Sequence, residues 1–439
     1  MRLLVGLDDH DSPVGGCTTH FTTLFIKSVL TGELRAKILG LPRLVRLNPV
    51  IPWKTRGNAA TVVEIEHEDP KEVFDFLVNL TETYDREVSR GLSLGRRPGA
   101  VVIEDRAENL NYLRWVYKKA LTDVVAPDVA EKVVVRLNGL YMKSRGSIGS
   151  LAALGFSPEE GFTYELIFYR DLSKGRPENV EFVKRLEESY FPRIFYNYDF
   201  QKKEVIAEPR GNDPVLIGIR GVDHAVLLEK VRSEVLSELR DYVKGAMLFV
   251  TNQHTGAHVR EKSTVRPYRT LVLRGTVESK EILSGGDVRL SVISDEGGLV
   301  TVFVFRETGI LAKVAQKLES GDVIRIEGAV KPSSSFGSIV EAEAIEVLSL
   351  NSARLVNPPC PLCGGPTESL GRGKGLRCKK CGYRFGSTKI PVEIKRDLSL
   401  GKVVSSRPRH LTELPYVKVP RVLPDLDLYT VLTTLLSTG

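Results

Sequence analysis

Three carboxylates in four positions, Asp8, Asp9 and Asp11, follow the apolar run Leu3 to Leu7 and precede Gly15, Gly16 and Cys17-Thr18-Thr19. The run reads as a buried strand, and the spacing of Phe21, Leu24, Phe25 and Val29 as a helix. Strand, acidic turn, glycines and helix start together make a seat for phosphate. Glycine lets the backbone approach closely, and a helix N-terminus offers unpaired N–H groups at its positive end. The carboxylates suit Mg²⁺, which takes one or two of them together with phosphate oxygens. Thr18 then falls in the first helical turn, beside the reacting phosphate. Aspartate is also a turn former and helix cap. Three so close repel one another unless a cation joins them, which favours the metal reading. No Walker pattern is present.

Four of the five cysteines, Cys360, Cys363, Cys378 and Cys381, form two Cys-x₂-Cys pairs, each followed by a glycine, Gly364 or Gly382. Such pairs supply four thiolates to a closed, structural Zn²⁺ site. An iron–sulfur cluster is the alternative, and the ribbon-like spacing favours zinc over it. This is a metal pattern rather than a disulfide framework. Cys17 has no visible base beside it and reads as a packing residue. Around the pairs stand Arg372, Lys374, Arg377, Lys379, Lys380, Arg384 and Lys389 against one acid, Glu368, with Tyr383 and Phe385 interleaved. Basic residues with stacking groups suit nucleic-acid contact. Arg407, Arg409 and His410 extend that basic surface into a proline-broken tail.

Residues 41–60 carry Arg43, Arg46, Lys54 and Arg56 without an acid, stiffened by Pro49 and Pro52 and ending in Gly57-Asn58. Beside an acidic turn, such a loop balances triphosphate charge; alone, it is a solvated basic loop. Arg96, Arg97 and Gly99 form a second, weaker loop of the same kind. KSRGSIGSLAALGF at 143–156 is a basic Gly/Ser turn leading into a helix of small residues, which serves phosphate contact or close packing equally well. His254 and His258 lack a third ligand and read as part of a polar loop.

The elements that must position these groups fill 439 residues, enough for three or four domains. Hydrophobic residues at 42% and charged residues at 27% are those of a folded chain. A net charge of +7 permits a polyanionic partner without requiring one. No apolar run approaches the ~18 residues of a membrane span and the start lacks a signal-peptide pattern, so a cytoplasmic location is expected. Alternation at Val63 and Ile65 marks a strand, and helices are expected at Lys71–Tyr84 and 107–124. Strands at Val133–Leu137, Thr163–Tyr169, Val215–Ile219 and Met247–Val250 are expected to alternate with helices at Glu178–Tyr190 and Asp223–Tyr242, as in a ferredoxin-like α+β layer. From 266 to 349, three strands, a helix and two strands follow the order of an OB-fold, a fold that often binds single-stranded nucleic acid.

The combination resembles the archaeal synthetase family that makes 2-agmatinylcytidine in isoleucine tRNA with a CAU anticodon. The opening Asp-Asp-x-Asp-Ser…Cys-Thr-Thr carries the resemblance, with RLNPVIPWKTRGN, RPGA, SRGSIG and PVLIGIRG in that order. The OB-fold followed by a basic four-cysteine ribbon, with Leu370-Gly371-Arg372-Gly373 in its knuckle, completes it. The resemblance covers most of the chain. It implies an enzyme that consumes ATP, phosphorylates the C2 oxygen of the wobble cytidine, lets the amine of agmatine displace phosphate, and so moves decoding from AUG to AUA. It implies an autophosphorylated threonine at Thr18, Mg²⁺ and phosphoryl transfer at Asp8, Asp9 and Asp11, and triphosphate contacts from Lys54, Arg56, Gly57, Asn58, Arg145 and Gly146. The expected architecture is multidomain α+β: a kinase-like α/β domain at 1–125, a ferredoxin-like domain at 126–265, an OB-fold at 266–350, a zinc ribbon at 355–390 and a basic tail at 391–439. ATP, Mg²⁺ and Zn²⁺ are the expected cofactors, and tRNA and agmatine the partners. His10, Gly16 and His20 depart from the family pattern, which bears on fine geometry. A guanidinium wants a carboxylate, and no residue of the sequence is singled out for it. A non-catalytic binder of single strands, or a small-molecule kinase with an RNA-binding half, are the competing readings.

Overall fold

The computed structural model describes residues 1–55, 57–177, 180–200, 202–206, 208–209, 211–259, 264–406 and 413–437. Strand β1 (Arg2–Asp8) lies inside the largest sheet, and its apolar run is buried because helices cover both faces. Beside it come β2 (Lys37–Ile38), β3 (Arg43–Arg46), β4 (Ala59–Glu66) and β5 (Gly99–Glu104). Val5 sits opposite Val63 on β4 and Val102 on β5, both antiparallel. The sheet continues with β6 (Leu140–Tyr141) and β7 (Thr163–Arg170), while β8 (Tyr198–Asp199) and β9 (Glu204–Val205) pair separately. β10 (Val215–Gly221) and β11 (Val243–Thr251) return to it, giving the order β10-β7-β11-β3-β4-β1-β5-β6 with β2 beside β4. β3 and β11 pair in parallel, Leu44 opposite Thr251, so one sheet runs unbroken across residue 125.

Helices α1 (Thr18–Leu30) and α2 (Pro70–Tyr84) cover one face, where Phe21, Phe25, Val73 and Leu77 pack on Leu3, Val5 and Leu7. The other face carries α3 (Ala107–Thr122), α4 (Pro127–Arg136), α5 (Gly146–Ala153), α6 (Phe182–Tyr190) and α7 (Arg232–Leu239), packed around Leu4, Val62, Tyr117, Leu151 and Leu166. The expected strand Val133–Leu137 is the end of α4. Its β-branched run suggests a strand, but Pro127 starts a helix and Ala130, Val133, Val134 and Leu137 bury one helical face. Residues 178 and 179, the expected start of α6, lie outside the described residues. The expected helix Asp223–Tyr242 divides into a π-helical turn at Val226–Val231, α7 and a 3₁₀ turn at Arg240–Tyr242.

The next unit is a closed barrel. Its elements are β12 (Thr270–Ile282), β13 (Val288–Ser294), β14 (Leu299–Val304), α8 (Ile310–Lys317), β15 (Val323–Ser333) and β16 (Gly337–Ser349). Three strands, a helix and two strands match the expected OB order, and the parallel pairing of Val302 with Val340 closes the barrel. Alternating residues such as Leu273, Leu290, Val302 and Ile326 fill its interior. Beyond it, β17 (Ala353–Val356) and β18 (Thr367–Ser369), β19 (Leu376–Cys378) and β20 (Arg384–Phe385) build the ribbon, and β21 (Ile390–Glu393) returns to β17. β22 (Gly401–Val404) extends the barrel sheet at β16. The tail then ends in helix α9 (Leu428–Leu436), which is more than an exposed extension. Leu432 joins the core of α1 and α2, and Leu435 the opposite core. Arg407, Arg409 and His410 lie outside the described residues.

Candidate active site

The acidic turn is held from three directions. Asp9 has a left-handed backbone, φ 62°; its N–H donates to Asp8 Oδ1 (2.7 Å), and its Oδ2 accepts from the N–H of Arg97 (3.1 Å). The Arg96-Arg97 loop thus serves the site through a backbone amide. Helix α5 presses on the turn so closely that a Cβ at Gly149 would overlap Asp8 Oδ2. Burial, and then the charge of Asp9, push the Asp8 carboxyl well above the usual carboxylate range; burial raises Asp9 as well, against the Arg97 N–H.

Thr18 opens α1 and is buried, its Oγ1 accepting from the N–H of His10 (3.2 Å). Tyr84, at the end of α2, fixes the helix start. Its hydroxyl accepts from the N–H of Cys17 (3.0 Å), donates to the Cys17 carbonyl (3.3 Å) and meets His20 Nδ1 at 3.0 Å. The three departures from the family pattern fit this frame. His10 stacks on Phe21, ring centroids 3.8 Å apart, and its Nε2 meets Thr81 Oγ1 at 3.2 Å. Gly16 has φ 81°, and a Cβ there would stand 2.7 Å from Ser89 Cβ. Burial lowers the imidazoles of His10 and His20 to about 3 and about 4, so neither adds positive charge at neutral pH.

Two neighbouring cavities divide the expected residues, with Thr55 lining both. The first, about 440 Å³, takes Asp8, Asp9, Lys54, Asn58, Arg145 and Gly146, and its remaining wall includes Leu47, Ile51, Trp53, Ala120, Val124 and Pro127. The lining combines charged groups with apolar side chains, as a nucleotide requires. The second, about 300 Å³, takes Asp11, Thr18 and Gly57 together with Cys17. Arg56 lies outside the described residues. Asn58 also has a structural role, for with φ 53° it donates Nδ2 to the Asn48 carbonyl (2.6 Å).

The second cavity adds residues that sequence reasoning passed over, Glu165, Glu208, Asp213 and Arg220, and it also takes Arg46 of the basic loop. Arg46 Nη2 lies 2.8 Å from Glu165 Oε2, and Arg220 Nε 3.8 Å from Oε1. Burial works to raise the Glu165 carboxyl, yet the two guanidiniums hold it below the ordinary range. The available signal was a glutamate in the middle of a mostly apolar strand sequence, TYELIFYR. His254 and His258 belong to a loop, with both imidazoles fully buried: His258 Nε2 meets the Arg46 carbonyl at 2.9 Å and His254 stacks on Tyr196.

Among the described residues, Cys360, Cys363, Cys378 and Cys381 are the group of metal-ligating side chains, all four Sγ atoms lying within 4.8 Å of one another. The N–H groups of Lys380 and Cys381 point at Cys378 Sγ (3.3 and 3.4 Å), and the Cys381 N–H leads in lowering that thiol to about 6. Four gathered sulfurs, one already biased to thiolate, fit structural zinc.

A cavity lined by both charged and apolar residues, meeting a charged one at an acidic turn on a chain that also carries a barrel and a zinc ribbon, defines a multidomain α/β enzyme with nucleic-acid-binding modules. Family models described as the TiaS TCKD domain, the TiaS FLD domain and the TiaS C-terminal zinc ribbon domain match residues 4–74, 144–258 and 357–398. The isoleucine-tRNA 2-agmatinylcytidine synthetase TiaS of Saccharolobus islandicus is 41% identical over 94% of this chain and 92% of its own. The crystal structure of TiaS in complex with its isoleucine tRNA and ATP superposes with a TM-score of 0.78 at 32% identity, covering 94% of this chain and 96% of the other. That of TiaS with the same tRNA, AMPCPP and agmatine gives 0.75 at 30%, with the same coverage. The chain belongs to the TiaS family of isoleucine-tRNA 2-agmatinylcytidine synthetases.

Proposed function

We propose that this chain joins agmatine to C2 of the wobble cytidine of isoleucine tRNA with a CAU anticodon, at the expense of ATP. The observation that carries the reading is the meeting of the two cavities at the acidic turn, with Thr18 on one side and Gly146 and Gly149 of α5 on the other. A non-catalytic single-strand binder leaves both cavities without a use.

In this reading ATP occupies the first cavity, its base against Ile51, Trp53 and Val124 and its phosphates toward Lys54, Arg145 and Gly146. Gly57, which lines the second cavity beside Thr55, is the further residue assigned to the phosphate loop. Asp8, Asp9 and Asp11 are the Mg²⁺ carboxylates, and the fit lies in their charge: Asp8 and Asp9 are held close and desolvated, a state that a divalent cation relieves. When bound, the cation offsets charge on the transferred phosphoryl group. Thr18 is the phosphoacceptor, its hydroxyl oriented by the His10 N–H. Phosphorylation of the cytidine C2 oxygen turns a poor leaving group into phosphate, and the agmatine amine then displaces it. Agmatine is a guanidinium at one end and an amine at the other, so the acidic second cavity suits it, with Glu208 and Asp213 as its carboxylate partners.

The domains follow as a kinase-like unit at 1–125, a ferredoxin-like unit at 126–265, the barrel at 266–350, the ribbon at 355–390 and the tail at 391–439. The family matches on 4–74 and 144–258 support the first two, which share one sheet. The barrel and the basic ribbon hold the tRNA, with the wobble base extruded toward Thr18.

Nucleoside mass spectrometry on unmodified tRNA incubated with the protein, Mg·ATP and agmatine tests this. Conversion of cytidine to a heavier nucleoside is expected, and Thr18→Ala is expected to lose it by about 10³-fold while tRNA binding persists. Unchanged cytidine with active wild-type protein would refute the function; full activity of Thr18→Ala would refute the role of Thr18 alone.

A further inference from the structure

The loop after β3 and the turn before β12 are joined by contacts that the chemistry of neither cavity requires. Asn48 is fully buried in this seam. Its Nδ2 donates to the Tyr268 carbonyl (2.7 Å) and reaches the Asp123 carbonyl (3.4 Å), while its own carbonyl accepts from Asn58. Asp123 Oδ2 lies 2.7 Å from Arg269 Nη2, and the rings of Trp53 and Tyr268 are 5.9 Å apart. Tyr268 and Arg269 belong rigidly to the barrel: the Tyr268 N–H donates to the Val330 carbonyl on β15 (2.8 Å), and the Val330 N–H to the Arg269 carbonyl (2.7 Å). On the other side of the seam, Trp53, Asn58 and Asp123 all line the first cavity. The wall of that cavity and the frame of the barrel are one connected structure.

We propose that this seam is a latch coupling nucleotide binding to tRNA binding, with Asn48 and Asp123 as positioning residues. A nucleotide filling the first cavity fixes the wall on which Tyr268 and Arg269 seat the barrel, and a tRNA held by the barrel fixes the wall for the nucleotide. The inference rests on the reading of the first cavity as the ATP site and of the barrel as a tRNA-holding unit. Coupling of two ligands through a shared element is reciprocal, so either binding experiment reports it. Arg269 does not line the cavity and reaches its wall only through Asp123.

The affinity of the full-length protein for a non-hydrolysable ATP analogue, measured by calorimetry with and without saturating unmodified tRNA, tests the latch. In the wild type, tRNA is expected to tighten the analogue by about five-fold or more. In Arg269→Ala that factor falls to near one, while affinity without tRNA and melting temperature stay at wild-type values. Arg269→Lys, which keeps a cation beside Asp123, recovers part of the factor. If Arg269→Ala melts early, Arg269→Gln, of similar length without the charge, is read in its place. A wild-type factor of one, or an uncharged variant with the wild-type factor, overturns the latch. Analogue binding unmoved by Lys54→Ala and Arg145→Ala is the distinct signature of a wrong ATP site, and overturns the reading beneath the latch as well.

Discussion

Asp8 carries its charge against its surroundings. Burial and the neighbouring Asp9 raise its carboxyl in the folded chain, so the fold binds that proton more tightly than the unfolded chain does. The associated stability is fully present below the ordinary carboxylate pKa and is lost as pH climbs to the raised value. Asp8→Asn removes the penalty. By scanning calorimetry it is expected to raise the melting temperature by a few degrees at about pH 7 and not at about pH 3. Millimolar Mg²⁺ is expected to stabilise the wild type and not Asp8→Asn; equal shifts in both would move the cation elsewhere. At this scale the acidic trio was legible because its signal is local: three like charges within four residues demand a counter-charge. Asn58 was less so, since a sequence displays a donor without saying which carbonyl takes it. Glu165, Glu208 and Asp213 reach the site from far along the chain, and nothing near Thr18 in sequence points to them.

Helix α5 belongs to the core and borders the first cavity at once. Tight packing, one reading of SRGSIG, is what Leu151 and Ala152 show in the core, while Gly146 and Gly149 line the first cavity, where phosphate contact is the proposed role. Gly149→Ala separates the two roles. Alanine favours a helix over glycine by about 1 kcal/mol, so the fold is expected to hold its melting temperature. Displacement of the Asp8 carboxylate is expected to cost about 10²-fold in kcat; full activity would mean that Asp8 has room to move. The ribbon separates differently. Cys378→Ser is expected to release the zinc, measured by metal analysis, and to weaken tRNA binding while ATP-analogue affinity stays unchanged, because structural zinc supplies folding energy locally. The four-cysteine spacing was fully legible, since thiolate geometry is written in sequence intervals. Helix α4 was not: Val133-Val134-Val135 has strand propensity, and tertiary burial along a helical face overrides it.

Across the whole molecule, tRNA affinity is expected to fall linearly with the logarithm of salt concentration in filter binding. Replacing Lys379 and Lys380 by glutamine is expected to reduce that slope by about one for each phosphate no longer neutralised. An unchanged slope would take the ribbon out of the electrostatic footprint. The barrel was legible as an ordered series of alternating strands. The joining of the first two units was not, because it depends on β3 and β11 pairing across some two hundred residues, a register that no local period records. Helix α9 imposes a further constraint, on how the chain is made. Leu432 and Leu435 complete cores begun by the opening strand, so an emerging polypeptide keeps that apolar face uncovered until α9 itself has been made. Barrel and ribbon are synthesised while the N-terminal sheet waits, its two cores lacking the apolar face that only α9 supplies.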